Sequence, residues 1–135
     1  MPDDPLILPF KKFAKGDYDE GDRNLYIVWR GKKCLYVGIS KYDIWVRWFH
    51  RNHSHIEVEA DTIWHGHSPI GQAITRNLPS SYRWKIELRY VPEDLEAEER
   101  KLIRQLRPLF NIVYRNKLSP AENRLSRTLL GDTIG

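Results

Sequence analysis

Residues 82–90 alternate without a break, with Tyr82, Trp84, Ile86, Leu88 and Tyr90 on one side and Arg83, Lys85, Glu87 and Arg89 on the other. A period of two fits a pleated strand and not a helix, because successive strand side chains point to opposite faces. Such a strand must hydrogen-bond along its edges and cover its apolar face. Partners are at hand. Residues 25–29 (Leu-Tyr-Ile-Val-Trp) and 34–38 (Cys-Leu-Tyr-Val-Gly) read as strands joined by the turn Arg30-Gly31-Lys32-Lys33, a β-hairpin.

Helices fill the gaps. Asp43 caps a helix to about residue 51, with Ile44, Trp45, Trp48 and Phe49 on its apolar face and Arg47, His50 and Arg51 opposite. Ser68-Pro69 opens a helix to about residue 77. A third helix spans 95–106 and is stopped by Pro108, and Ser119-Pro120-Ala121-Glu122 is a capping box that opens a fourth. Residues 52–67, polar and rich in His, read as a loop. The order β-β-α-α-β-α-α implies an α+β domain. Residues 1–22 read as an N-terminal extension around one apolar patch (Leu6, Ile7, Leu8, Phe10), residues 23–114 as the domain, and 115–135 as a basic C-terminal helix and tail.

A length of 135 residues suits one domain, and 41% hydrophobic with 30% charged residues suits a soluble chain. No apolar run approaches a membrane span. Met1-Pro2-Asp3-Asp4 has no basic n-region, so a cytoplasmic location is expected. Cys34 is the only cysteine, which excludes an intramolecular disulfide and suits a small core residue. The net charge of +4 is unevenly spread. Residues 100–127 hold Arg100, Lys101, Arg104, Arg107, Arg115, Lys117, Arg124 and Arg127 against Glu122 alone. That density suits a polyanionic partner, with a solvated helix face or an acidic protein as the other readings.

Glu99 breaks the pattern of its helix. At about 100° per residue, Leu95, Leu102, Ile103 and Leu106 share a face, and Glu99 lies within roughly 20° of their mean direction. An inward carboxylate is costly unless an arginine, a lysine or a metal ion compensates it. A structural salt bridge and a metal ligand both fit.

These pieces together resemble the GIY-YIG nuclease superfamily. The resemblance rests on Leu25-Tyr26-Ile27, Tyr36-Val37-Gly38, Arg47, His67-Ser68 and Glu99-x-x-Leu102-Ile103 followed by Pro108-x-Phe110-Asn111, and it covers residues 24–113. That family contains homing endonucleases, some restriction enzymes and a repair nuclease domain. The resemblance implies a small three-stranded antiparallel sheet flanked by helices. It also implies hydrolysis of DNA phosphodiester bonds by water attack with one divalent cation, Mg²⁺ or Mn²⁺. Asn24 stands where the family usually has Gly, a change eased by the tolerance of Asn for unusual backbone angles. Arg51 stands where many members have His.

Roles follow from the resemblance. Tyr26 would take or relay the proton of the attacking water, and Tyr36 would orient that water or the phosphate. On residue type alone, hairpin core residues with satisfied hydroxyls are the favoured reading of both. Arg47 would bind a non-bridging phosphate oxygen through its planar fork. Glu99 would hold the cation, or would pair with Arg47 in the resting protein. Gly38 would let the backbone bend or substrate approach, and Asn111 would tie its loop to the hairpin. His50 and His67 are candidate proton relays. The five histidines (His50, His53, His55, His65, His67) also have zinc-like spacings. Lys41, Arg51, His53, Arg115, Lys117 and Arg124 are candidate nucleic-acid contacts. Trp64, in the loop, is the tryptophan most suited to base stacking, while Trp45, Trp48 and Trp84 suit the core. DNA is the expected partner, with RNA as an alternative substrate, a protein partner or homodimer as a source of specificity, and no membrane. With no separate DNA-reading domain in view, weak sequence specificity or a preference for a DNA structure is expected. The rival readings are a GIY-YIG-fold nucleic-acid-binding module without cleavage and a protein-interaction domain.

Overall fold

Four antiparallel strands form the central sheet of the computed structural model, which describes residues 4–49, 54–59 and 63–131. The hairpin is β2 (Leu25–Arg30) and β3 (Lys33–Ile39), and the alternating segment supplies β6 (Lys85–Arg89). A further strand, β1 (Leu6–Pro9), pairs with β6, so the sheet order is β1-β6-β2-β3. The protein is therefore α+β, with four strands in place of the expected three. β6 is central, and its second edge needed a hydrogen-bonding partner. The apolar patch Leu6-Ile7-Leu8 supplies one, in register Leu6 with Leu88 and Leu8 with Ile86.

The residues after β1 enter the core. In α1 (Phe10–Ala14), Phe10 and Phe13 are wholly buried. Each such burial contributes about 2–3 kcal/mol, so the segment read as an extension is integral to the domain. Further along, Glu20 accepts from the N–H of Ile44 at 2.8 Å and of Trp45 at 3.3 Å, and so caps α2 (Ile44–Phe49) together with Asp43, which accepts from Val46 N–H at 3.0 Å.

The supposed loop 52–67 also changes character. Ile56–Glu59 and Ile63–Gly66 form a second, two-stranded sheet, β4 and β5. It leads into α3 (Pro69–Arg76), whose N-terminus Ser68 caps by accepting from Gly71 N–H at 3.1 Å. The alternating stretch starts later as a strand than its pattern implies, because Ser80–Arg83 is a 3-10 turn. Then follow α4 (Leu95–Leu106) and α5 (Pro120–Leu129), the latter opened by the expected capping box.

Both faces of the sheet are covered. Leu25, Ile27, Cys34 and Val37 meet Leu102 and Ile103 of α4. The other face packs Val28, Leu35, Ile86 and Leu88 against Phe10, Phe13, Trp48, Ile56, Ile70 and Ile74. This two-sided cover explains the buried Glu87 on the polar side of β6, which accepts from Trp29 Nε1 at 3.1 Å and pairs with Arg89. No helix of the described residues is long and apolar enough to cross a membrane.

Candidate active site

The free edge of β3 organises the site. Between Val28 and Trp29 the β2–β3 register slips, leaving Leu35 as an extra residue beside Tyr36. Such a bulge re-aims its neighbours and interrupts pairing. The Leu35 carbonyl accepts from Phe110 N–H at 2.9 Å. Two residues on, the Asn111 side chain accepts from Val37 N–H at 2.9 Å and donates to the Val37 carbonyl at 2.8 Å. Asn111 thus takes the place of a fifth strand at this point and brings the end of α4 against β3. Asn24 performs the same bracketing on Val91, at 2.8 Å in both bonds. Its amide explains Asn at this position better than backbone freedom does, since its φ is not positive.

This arrangement opens a cleft of about 480 Å³ lined by Tyr36 of β3, Arg47 of α2, His55, Ser68, Glu99 of α4 and Asn111, together with Ile112, Val113 and Tyr114. Four of the residues singled out from sequence, Tyr36, Arg47, Glu99 and Asn111, therefore meet in one solvent-reachable hollow. Tyr26 does not reach it. Its ring is 1% exposed and lies beneath Tyr36, with ring centroids 6.1 Å apart. Gly38, paired with Tyr26 across the hairpin, makes room for that ring, because a Cβ there would overlap the Tyr26 phenol. Gly38 thus makes the space that the Tyr26 ring occupies.

A histidine that sequence patterns did not single out as a relay sits at the base of the cleft lining. His55 is 1% exposed, against Trp48 at 4.4 Å and Tyr36 at 5.2 Å between ring centroids. Its Nε2 is 2.8 Å from the Tyr26 hydroxyl and its Nδ1 2.6 Å from Ser68 Oγ. Burial, then the nearby Arg47, push its pKa down to about 3, so the ring is neutral at physiological pH. The buried Tyr26 O–H needs an acceptor, and Nε2 provides it. Nδ1 then carries the proton and donates to Ser68 Oγ. Gly71 lets α3 approach, since a Cβ there would strike the His55 carbonyl. The His67-Ser68 pair in the sequence pointed to this corner, but Ser68 is the residue that reaches it.

Charge in the cleft is unevenly held. Burial raises the pKa of Tyr36, with Arg47 opposing and Glu99 adding to the rise. Tyr26 is raised well above 10, burial being the main cause. The Glu99 carboxyl is raised by burial and by Glu96, against Arg100. Among the described residues no hydrogen bond or ion pair engages it, and the charges that act on it are those of Glu96 and Arg100. A half-buried, unpaired carboxylate facing a cleft suits a site completed by one cation and its substrate.

Other candidates lie elsewhere. His67 is exposed, 3.5 Å from Glu57, and His65 is 2.7 Å from Glu59. No group of three or more His, Cys, Asp or Glu side chains suited to a metal exists among the described residues, which leaves the zinc reading without a described ligand set. Lys41 pairs with Glu96 at 3.2 Å. Arg115 donates to the Leu109 carbonyl at 2.7 Å, and Lys117 and Arg124 are exposed. His50, Arg51 and His53 lie outside the described residues. Trp64 is half-buried and packs edge-on to Tyr82 at 5.7 Å and Phe49 at 5.8 Å, which joins it to the aromatic cluster. Compared with protein-family models, curated proteins and solved structures, the chain gives no match.

Proposed function

We propose that this protein is a metal-dependent endonuclease that hydrolyses DNA phosphodiester bonds through a GIY-YIG-type site. One observation carries the reading: Tyr36, Arg47 and Glu99, far apart in sequence and each singled out by the resemblance, line a single open cleft. Phosphodiester hydrolysis needs a positioned water, charge neutralisation and a fixed phosphate, and these residues supply such groups. The Arg47 guanidinium takes a non-bridging phosphate oxygen. Glu99 would hold a divalent cation, which when bound would supply positive charge at the phosphate and lower the pKa of a nearby water.

Tyr36 orients that water through its hydroxyl and stays protonated, since burial raises its pKa. Tyr26 is closed off from the water by its depth. It holds the Tyr36 ring from below and is itself fixed by His55. His55 is a positioning residue that keeps one ring nitrogen on Tyr26 and the other on Ser68. A second reading, a nucleic-acid-binding module without cleavage, draws on that same depth of Tyr26.

A supercoiled-plasmid nicking assay separates the two. Nicking is expected with Mg²⁺, none with chelator, and none for Glu99→Ala, while DNA binding of the variant in chelator stays at the wild-type level. Salt-sensitive DNA binding without nicking selects the binding module. Equal nicking by wild type and Glu99→Ala overturns the Glu99 assignment.

A further inference from the structure

The cleft lining is of two kinds. Tyr36, Arg47 and Glu99 bring polar groups to it, whereas the consecutive residues Ile112, Val113 and Tyr114 bring apolar side chains. These consecutive apolar side chains are 76%, 58% and 47% exposed. Their neighbours Leu109 and Phe110 are buried, so the core lies within reach of this segment. The two hydrogen bonds of Asn111 to Val37 mark the point where the chain turns outward. Tyr114 holds a left-handed backbone, φ 68°, which non-glycine residues adopt rarely. The Arg100 guanidinium sits 5.5 Å from its ring centroid. An exposed apolar ridge beside a catalytic cleft marks a binding surface more than a packing fault.

We propose that Ile112-Val113-Tyr114 is a nucleobase-binding wall, which takes an unpaired base next to the phosphate held by Arg47. The proposal rests on the nuclease reading of the cleft and names its substrate class: DNA with a base already free of the stack, as in a bulge, gap or flap. Charge complementarity selects this occupant. A cation, Arg100, stands at the apolar ridge itself, and Arg115 and Lys117 follow it in sequence. Apolar and aromatic side chains gain by stacking on or wedging beside bases, and a base already out of a duplex costs least to capture. In a continuous duplex the bases are buried in the stack, and the ridge has nothing to cover it.

Fluorescence anisotropy in chelator, where no cutting occurs, tests this with a continuous duplex and the same duplex carrying one bulged adenine. The wild type is compared with a triple variant, Ile112→Ser, Val113→Ser and Tyr114→Ala, whose folding is checked by thermal melting. The wild type is expected to bind the bulged duplex about tenfold more tightly. The variant should bind both alike, at the affinity of wild type for the continuous duplex. A 2-aminopurine at the bulge should change its emission with wild type only. Equal wild-type affinity for the two duplexes, or a preference that survives in the variant, overturns the proposal. Absence of salt-sensitive binding to either DNA overturns the nuclease reading with it. A wild type that self-associates while the variant is monomeric gives the ridge to a second copy of this chain, and also overturns it.

Discussion

Glu122 and Glu99 both sit in the C-terminal third of the chain, and their surroundings are opposite. Glu122 is saturated. It accepts from Lys33 Nζ at 2.7 Å, from Arg107 at 2.8 Å and from Ser119 N–H at 2.9 Å, and so joins the hairpin, the end of α4 and the start of α5. Those partners hold its carboxyl far below the ordinary range. Glu99 has burial and the like-charged Glu96 instead, and its carboxyl is raised. An acid whose partners are all protein groups fastens a fold. An acid desolvated at an open cleft, with no hydrogen-bonding partner among the described residues, does not fasten the fold in that way.

The sharpest break of that contrast is in activity. Glu99→Gln should lower plasmid nicking at least 100-fold, a loss of about 2.7 kcal/mol or more in transition-state stabilisation. The same variant should melt no lower than wild type at pH 7, since it removes a carboxylate that burial opposes. Unchanged nicking, or a large fall in Tm, would make Glu99 a fastening acid like Glu122.

His55→Phe should cost about 1–3 kcal/mol, because it leaves the Tyr26 O–H buried without an acceptor. Its pKa of about 3 makes the ring silent in the pH profile. A neutral ring from pH 5 to 9 puts no limb near pH 6.5 in the wild-type cleavage profile. A limb there that vanishes in the variant would show His55 titrating in the cleft and would give it a proton-transfer role. The stability of the native state carries the other side of this shift. The neutral ring is favoured by the fold, so its stabilising contribution is complete above pH 6.5 and is lost as pH falls toward 3.

Much of this contrast was open to reading from the sequence, because local signals fixed it. The β2–β3 hairpin is marked by period two and a Gly turn, α4 by its stripe and Pro108, and α5 by its capping box. Tyr36, Arg47, Glu99 and Asn111 were named from motif spacing, and the cleft brings them together. What escaped reading depends on neighbours far along the chain. Leu6–Pro9 is four residues that follow one proline and end on another, and only the open edge of β6 makes it a strand. Ile56–Glu59 alternates too briefly to stand out among histidines. The depth of Tyr26 follows from cover on both sheet faces, and the role of His55 from a ring partner 29 positions away, which no local spacing encodes.

Removing the fastening acid should give a moderate, purely structural effect. Glu122→Ala is expected to lose about 1–2 kcal/mol, read as a lower urea midpoint, because it removes half of a capping box and the anchor for Lys33 on the hairpin. Nicking per folded molecule should not change.

The smallest effect is the most diagnostic, because its sign differs between the two acids. Glu122 has a folded pKa below its ordinary 4.5, so its contribution is present above about pH 4.5 and is lost as pH falls further. Glu99 has a folded pKa above 4.5, so the fold favours its neutral form, and that contribution is present below about pH 4.5 and is lost as pH rises through the folded value. Melting curves of Glu99→Gln and Glu122→Gln against wild type from pH 4 to 8 should therefore diverge. The Glu99→Gln difference should grow in the stabilising direction as pH rises, and the Glu122→Gln difference in the destabilising direction. A cation that binds the native cleft reverses the first trend in wild type alone. With Mg²⁺ present the ionised Glu99 gains its partner, so the wild type should melt higher with added metal above pH 6, while Glu99→Gln does not respond. Parallel pH trends for the two variants, or equal metal response in both, would mean that the two acids do the same work.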